Sequence, residues 1–295
     1  MNRTRILFVA SLVVLVATNL SSSEAMRLIP SHPLAKILRT GISSETTTTE
    51  LAVEAARGET VSAQAVLVAG DTAATVTAQL SDLAGSHAML PIPSTAARLQ
   101  WVRYLDITTN TQEIPEDELV ARAPVSIPDA FREEAAVALE AGCVQPLWLE
   151  IDVPVDAAPG HYRAELTVRA AGDQRTLPVS LNVRDFRMPE ERHQNVIQWW
   201  DFPGRGFEDI KRDSEEYWQH LERCCAFLRH HRQTDVWVGW DLVRDTTTDT
   251  GSKQWDASRF EKFADVAFAG GMRAVSFGSV ARHTKPHLEP DTRTE

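Results

Sequence analysis

Two pairs of tryptophan and aspartate stand out as residues that could do chemistry. Trp199-Trp200-Asp201 ends one short apolar run, and Trp237, Trp240 and Asp241 lie on or just after the next, Val236-Trp-Val-Gly-Trp240. Sugar rings stack on exposed aromatic faces, so indoles with an adjacent carboxylate are what a carbohydrate pocket would use. The plainer role is that strand tryptophans fill a core and each Asp caps the next element. His283 lies just past a third apolar run and could face the same ligand. His220 and Cys224 are four apart, which puts both on one helix face, but no third ligand stands at a metal-binding spacing. The only adjacent Asp-Glu, Asp117-Glu118, sits in Glu116-Asp-Glu118 and reads as a solvated acidic loop. No nucleophile elbow and no phosphate-cradling glycine loop is present, so neither a catalytic residue nor a cofactor is assigned.

The elements that must position these residues fall into two parts. Gln145–Phe186 reads as three consecutive antiparallel strands. Leu147, Leu149, Ile151 and Val153 alternate with polar neighbours, as do Tyr162, Ala164, Leu166 and Val168, and then Leu177, Val179, Leu181 and Val183. Period-two alternation buries one face and wets the other, as in half of a β-sandwich. Upstream, Leu51–Ala56, Val61–Ala69, Thr75–Leu80 and Leu99–Leu105 read as further strands, about seven in all at sandwich spacing. Met26–Thr49 reads as a polar lead-in. Within the Pro- and acid-rich excursion 108–145, Phe131–Ala141 is expected to form a short helix capped by Asp129.

From Asn195 the pattern alternates strand and helix. Val196–Trp200, Asp235–Leu242 and Arg273–Gly278 are the expected strands. Ser214 should cap the first helix, with the stripe Tyr217, Leu221, Cys224 or Cys225, and Leu228. Asp256 or Ser258 should cap the second, with the stripe Phe260, Phe263, Ala264, Ala267 and Phe268, and Gly270-Gly271 should end it. This is the pattern of parallel βα units, and the expected fold is a multidomain β plus α/β chain: an N-terminal β-sandwich followed by an incomplete (β/α)8 barrel. A full barrel takes ~250 residues. The chain after Asn195 supplies only two βα units and one more strand, so the expectation is a truncated product or a partner chain that completes the barrel.

The N-terminus has the pattern of a secretory signal: Arg3 and Arg5, the apolar run Ile6–Ala17, then Ser23-Glu24-Ala25 as a cleavage site. An uncleaved anchor is the alternative, although the run is short of the ~20 residues that span a bilayer. The expected domains are therefore 1–25 signal peptide, 26–190 sandwich and 191–295 barrel start, with a secreted or periplasmic destination and no membrane contact after cleavage. The net charge of −11 argues against nucleic acid or anionic lipid as the main partner. Cys143, Cys224 and Cys225 are too few for a disulfide framework and are expected as buried thiols.

Three stretches resemble glycoside hydrolase family 123 and its uncharacterised relatives. They are Ala56-Arg57-Gly58-Glu59 with Gln64-Ala-Val-Leu67; Leu147–Pro154 with Ala158–Tyr162 and Val183–Phe186; and Trp199-Trp200-Asp201 through Ser214–Trp218, then Phe260 and Gly270-Gly271-Met272. The resemblance implies an N-terminal β-sandwich joined to a (β/α)8 catalytic barrel. It also implies retaining hydrolysis of β-linked N-acetylhexosaminides, N-acetylgalactosamine in the founding activity. In that chemistry the substrate's acetamide oxygen attacks the anomeric carbon, oriented by an Asp whose neighbouring Glu is the acid/base, an exception to the two-carboxylate scheme. That Asp-Glu pair belongs further into the barrel, so no catalytic residue carries over. The implied partner is a glycan or glycoconjugate; because barrel sites lie at the C-terminal ends of strands, Trp199, Trp200, Asp201, Trp240, Asp241 and His283 are the expected contacts, and the chain is expected to be inactive on its own. A non-catalytic glycan-binding or assembly module built on the sandwich is the alternative.

Overall fold

The structure is a computed structural model that describes residues 25–39, 41, 48–87, 89–132, 134–198, 202, 207, 209–238, 242–246 and 255–277. The chain divides into two compact units, 1–188 and 189–295.

In the first unit the strands are β1 Arg27–Ser31, β2 Leu51–Arg57, β3 Thr60–Val68, β4 Ala74–Leu80, β5 Ala84–Gly85, β6 Ala97–Ile107, β7 Val125–Phe131, β8 Ala136–Leu139, β9 Val144–Asp152, β10 Gly160–Ala170 and β11 Asp173–Arg187. They form a sandwich-like pair of sheets, ordered β1-β3-β9-β6-β7 and β2-β11-β10-β4-β8, with β5 pairing beside β10. The shared core takes Leu147, Leu149 and Ile151 from one sheet and Tyr162, Leu166, Val168, Val179 and Leu181 from the other. Alternation is clean on β11, where Leu177, Val179, Leu181 and Val183 are buried.

Four expectations are corrected by the structure. The strands β9, β10 and β11 do not share a sheet: β10 and β11 pair antiparallel, whereas β9 lies between β3 and β6 in the other sheet. The connection 153–159, with Pro154 and Pro159, crosses between the sheets, since proline cannot donate to a ladder and favours such turns. Nor is the outer face of β9 wet. Glu150 is buried and Trp148 half-buried, because Arg98 binds Glu150 at 3.0 Å and Asp152 at 2.6 Å, and Phe131 packs 5.9 Å from the Trp148 ring. Phe131–Ala141 is not a helix. Val137 and Leu139 are buried alternately in β8, which pairs with β4 through Val76↔Val137, so sheet pairing overrides the helical propensity of an Ala/Glu-rich segment. Met26–Thr49 is not merely a lead-in either: β1 pairs antiparallel with β3 from Arg27↔Val68 to Ser31↔Gln64.

In the second unit β12 Ile197–Gln198, α1 Glu215–His230, β13 Asp235–Val238, β14 Arg244–Asp245, β15 Trp255–Asp256, α2 Ser258–Ala269 and β16 Ala274–Phe277 come in order along the chain. The sheet β12-β13-β16 is wholly parallel. Ser214 caps α1 as expected, its hydroxyl accepting from the Tyr217 N–H at 3.2 Å, with Glu215 and Glu216 at the positive end. The buried stripe is Tyr217, Trp218, His220, Leu221 and Cys225; Cys224 turns aside. On α2 the buried residues are Phe263, Ala264 and Ala267, whereas Phe268 is 50% exposed. Contrary to expectation, neither Asp256 nor Ser258 is the cap of α2: the N-cap is Ala257, with no side-chain cap bond, and Asp256 Oδ1 only accepts from the Ser258 N–H at 3.0 Å. At its end Gly271 (φ 91) donates to the Phe268 carbonyl and Met272 to that of Ala267, the paired bonds that close a helix through a left-handed residue.

Candidate functional site

In a parallel sheet covered by helices, ligands gather where the strands end. The strand ends here lead directly into Trp199-Trp200-Asp201 after β12 and Trp240-Asp241 after β13. These five residues, and His283, lie outside the described residues, so the structure neither brings them together nor separates them.

The segment after β12 is held on its far side. Phe202 stands in a ring cluster, 4.7 Å from Tyr217, 5.5 Å from His220 and 6.0 Å from Phe263. Phe207 meets His220 at 4.3 Å. Phe202 and Phe207 are thus both packed against α1. Asp213 pairs with Arg259 at 2.7 Å and ties the start of α1 to α2.

Within β13, Val236 and Val238 enter the core under the helices. Side chains alternate across a strand, so Asp235 and Trp237 lie on the opposite sheet face, with Ala274 and Ser276 beside them in register. Trp237, which the sequence groups with the candidate cluster, is half-buried on that face. Asp235 is 5% exposed; its Oδ2 accepts from the Thr234 hydroxyl at 3.0 Å, and its Oδ1 has no hydrogen-bond partner. It lies at the strand start, away from the end where ligands gather.

Trp255 is a candidate that the sequence pattern does not single out. It is 52% exposed on β15, which pairs with β14 through Asp245↔Trp255 inside the connection after β13. The available signal is Gln254-Trp255-Asp256, a third Trp-Asp pair in the same half of the chain. The expected capping role of Asp256 masks it.

The other combinations resolve as plain structure. His220 Nε2 lies 3.7 Å from Cys224 Sγ, but among the described residues no group of three or more His, Cys, Asp or Glu could hold a metal ion. Asp117 and Glu118 are exposed in a single helical turn. All three cysteines are free; Cys225 is fully buried, while Cys143 and Cys224 are only half-buried, which corrects the expectation of three buried thiols. Burial, with Cys224 adding to it, pushes the Cys225 thiol up to about 12. Among the described residues no helix is long and apolar enough to cross a membrane.

Comparison with known proteins bears on both units. Residues 39–170 match the glycoside hydrolase 123 N-terminal domain. The fold is similar to that of a family 123 glycoside hydrolase from Clostridium perfringens, described for glycolipid glycan hydrolysis, at TM-score 0.69 and 17% identity. The match covers 84% of this chain and 46% of that one, so the chain spans under half the length of that enzyme. A PapD-like domain of human CEP192, at TM-score 0.25, 15% identity, 61% of this chain and 98% of its own, carries no argument. No curated protein matches. The resemblance read from the three sequence stretches is thus borne out over residues 39–170, which match the glycoside hydrolase 123 N-terminal domain, and beyond them by a likeness of fold.

Proposed function

We propose that the chain is a secreted or periplasmic carbohydrate-active protein of the family 123 type, an N-terminal sandwich leading into the opening strands of a (β/α)8 barrel. The observation that carries this reading is the order of the second unit: parallel strands β12, β13 and β16 lie side by side in chain order, with a helix before each of the last two. The substrate class implied by the resemblance is a β-linked N-acetylhexosaminide, cleaved with participation of its own acetamide. In this reading Trp199, Trp200, Asp201, Trp240, Asp241 and His283 line the glycan side, and Trp255 joins them as an exposed aromatic face. The acid/base work is assigned to no residue of this chain, since Asp117-Glu118 sits exposed in the first unit. The chain alone should therefore bind glycan without turning it over.

Titration of the purified chain with N-acetylgalactosamine-terminated oligosaccharides, beside an assay on an aryl N-acetyl-β-galactosaminide, tests this. Saturable binding, weakened about tenfold by Trp255→Ala through loss of one stacked ring, is expected. No binding to any N-acetylhexosaminide would overturn the assignment, and turnover by the chain alone would overturn the claim that it lacks the acid/base. The second reading, a glycan-binding module on the sandwich, draws on the Phe131–Trp148 pair outside the five-stranded sheet. It predicts that Trp148→Ala, not Trp255→Ala, abolishes binding.

A further inference from the structure

At the start ends of β12, β13 and β16 the second unit gathers a patch of positive charge. Arg229 comes from the last turn of α1, Arg232 from just beyond its cap, Arg192 from the segment before β12 and Arg273 from the residue before β16, with His230 and His231 beside them. Arg229, His230, His231 and Arg273 are exposed, and Arg192 and Arg232 are half-buried.

Closing the helix needs only part of this charge. Arg192 donates to the Arg229 carbonyl at 2.5 Å and the Gln233 carbonyl at 2.9 Å, while the Gln233 N–H closes on the Leu228 carbonyl at 2.9 Å. Arg273 donates to the Arg192 carbonyl and Arg232 to that of Pro189 at 3.2 Å. The Arg229 side chain lies flat against Gly271, whose absent Cβ would fall 2.4 Å from Arg229 Cδ. Among the described residues none of these four guanidiniums has a carboxylate partner. Of the nearby acids, Glu191 lies 4.0 Å from His193, and Asp235 accepts from Thr234 through Oδ2 while its Oδ1 has no hydrogen-bond partner. Burial pushes the Arg192 pKa down, and the Arg232 and Arg229 charges push it down further. Four like charges with no carboxylate partner among the described residues, only partly offset by the accepting carbonyls and the C-terminal end of α1, are an arrangement that an anion would stabilise.

Arg232 adds an independent sign. It holds φ 63 at the position after the helix cap, where glycine is the unstrained choice and stands in the equivalent place after α2. Selection for stability alone favours glycine there; an arginine retains the guanidinium.

We propose that this face binds a sulfated glycan, its sulfate oxygens accepting from the guanidinium N–H groups of Arg229, Arg232 and Arg273 that the carbonyls leave open. The choice of a glycan rests on the carbohydrate-active reading above. A long nucleic acid would run off the patch onto a surface that is acidic on balance, whereas a short sulfated oligosaccharide needs no more than the patch.

The test is calorimetric titration of the purified chain with a heparin hexasaccharide and its desulfated counterpart at 50 and 200 mM salt. Only the sulfated form should bind, more weakly at the higher salt. R229Q with R273Q should weaken binding at least tenfold, and R163Q with R169Q, an equal charge change in the first unit, should leave it unchanged. R232G should weaken binding several-fold while the melting temperature stays level or rises, which a purely structural arginine would not do. Equal binding of the desulfated sugar, unchanged affinity in R229Q/R273Q, equally tight binding of a short DNA duplex or phosphatidylserine vesicles, or binding of inorganic sulfate alone at the same affinity each overturns the proposal. The neutral-glycan titration and its Trp255→Ala variant read a different element, β15, so the two readings fail separately.

Discussion

Arg98 shows how a single residue sets the character of a strand face. Burial works against its charge, but the Asp152 and Glu150 carboxylates outweigh that and raise its pKa. Removing it leaves Glu150 buried without its cation, so Arg98→Ala should cost about 1–3 kcal/mol in urea denaturation, with the lower end favoured because Arg98 itself is part-exposed. In Glu150→Gln the same substitution should cost less, since the buried charge is already gone; equal costs would mean the alkyl chain of Arg98, not its charge, matters. Asp82 gives the pH dependence. Hydrogen bonds from the Ser94 backbone and side chain hold its carboxyl below the usual carboxylate range. A depressed carboxylate stabilises the fold fully above its unfolded pKa and loses that contribution as pH falls through its folded one. Melting temperatures between about pH 5 and pH 2 should therefore fall less steeply in Asp82→Asn than in the parent chain. At Cys225 the raised pKa and complete burial predict no alkylation by iodoacetamide at about pH 8 until the chain unfolds, read by mass spectrometry.

Among the elements, the end of α2 separates backbone from packing effects. Gly270 has φ −70, open to any residue, yet a Cβ there would lie 2.5 Å from Cys225 Cβ. Gly271 has φ 91, and a Cβ there would meet only the movable Arg229 side chain. Gly270→Ala should cost about 1–3 kcal/mol by forcing α2 from α1, and Gly271→Ala about 1–2 kcal/mol by strain alone. Pairing either with Cys225→Ala does not relieve the clash, because the Cβ remains; Cys225→Gly should relieve Gly270→Ala and leave Gly271→Ala unchanged. Thermal melts of these variants decide it. The cap of α1, most of both stripes and the glycine stop of α2 were legible in the sequence because they depend on neighbours three or four residues apart, whereas the cap of α2, Ala257, was not. The strand β8 was not: its Ala/Glu composition favours a helix, and only the distant β4 makes it a strand.

Across the whole molecule the two units differ in how much holds them. The first has two sheets around one core that runs from Met26 to Val183. The second has strands of two to four residues and a smaller core built on Tyr217, Leu221, Val236 and Phe263. Amide exchange should therefore open β12, β13 and β16 well before β9, β10 and β11; equal protection in both would show that the second unit gains stability from contacts beyond its own core.

Local order is written along the chain: which runs alternate with period two, where helices start and stop, and that two folding patterns meet near Phe186. Those features arise from interactions within a few residues, so the amino-acid order suffices to read them. Sheet membership was decided only in three dimensions. Leu147–Val153 alternates just as Tyr162–Arg169 does, yet one lies in each sheet, because a strand's partners are chosen by the burial of distant faces and not by its own pattern. The arginines at the strand starts show the same division. Spread from Arg192 to Arg273, they look like ordinary surface charges in an acidic chain, and only parallel pairing of β12, β13 and β16, which aligns all three strand starts, turns them into one patch.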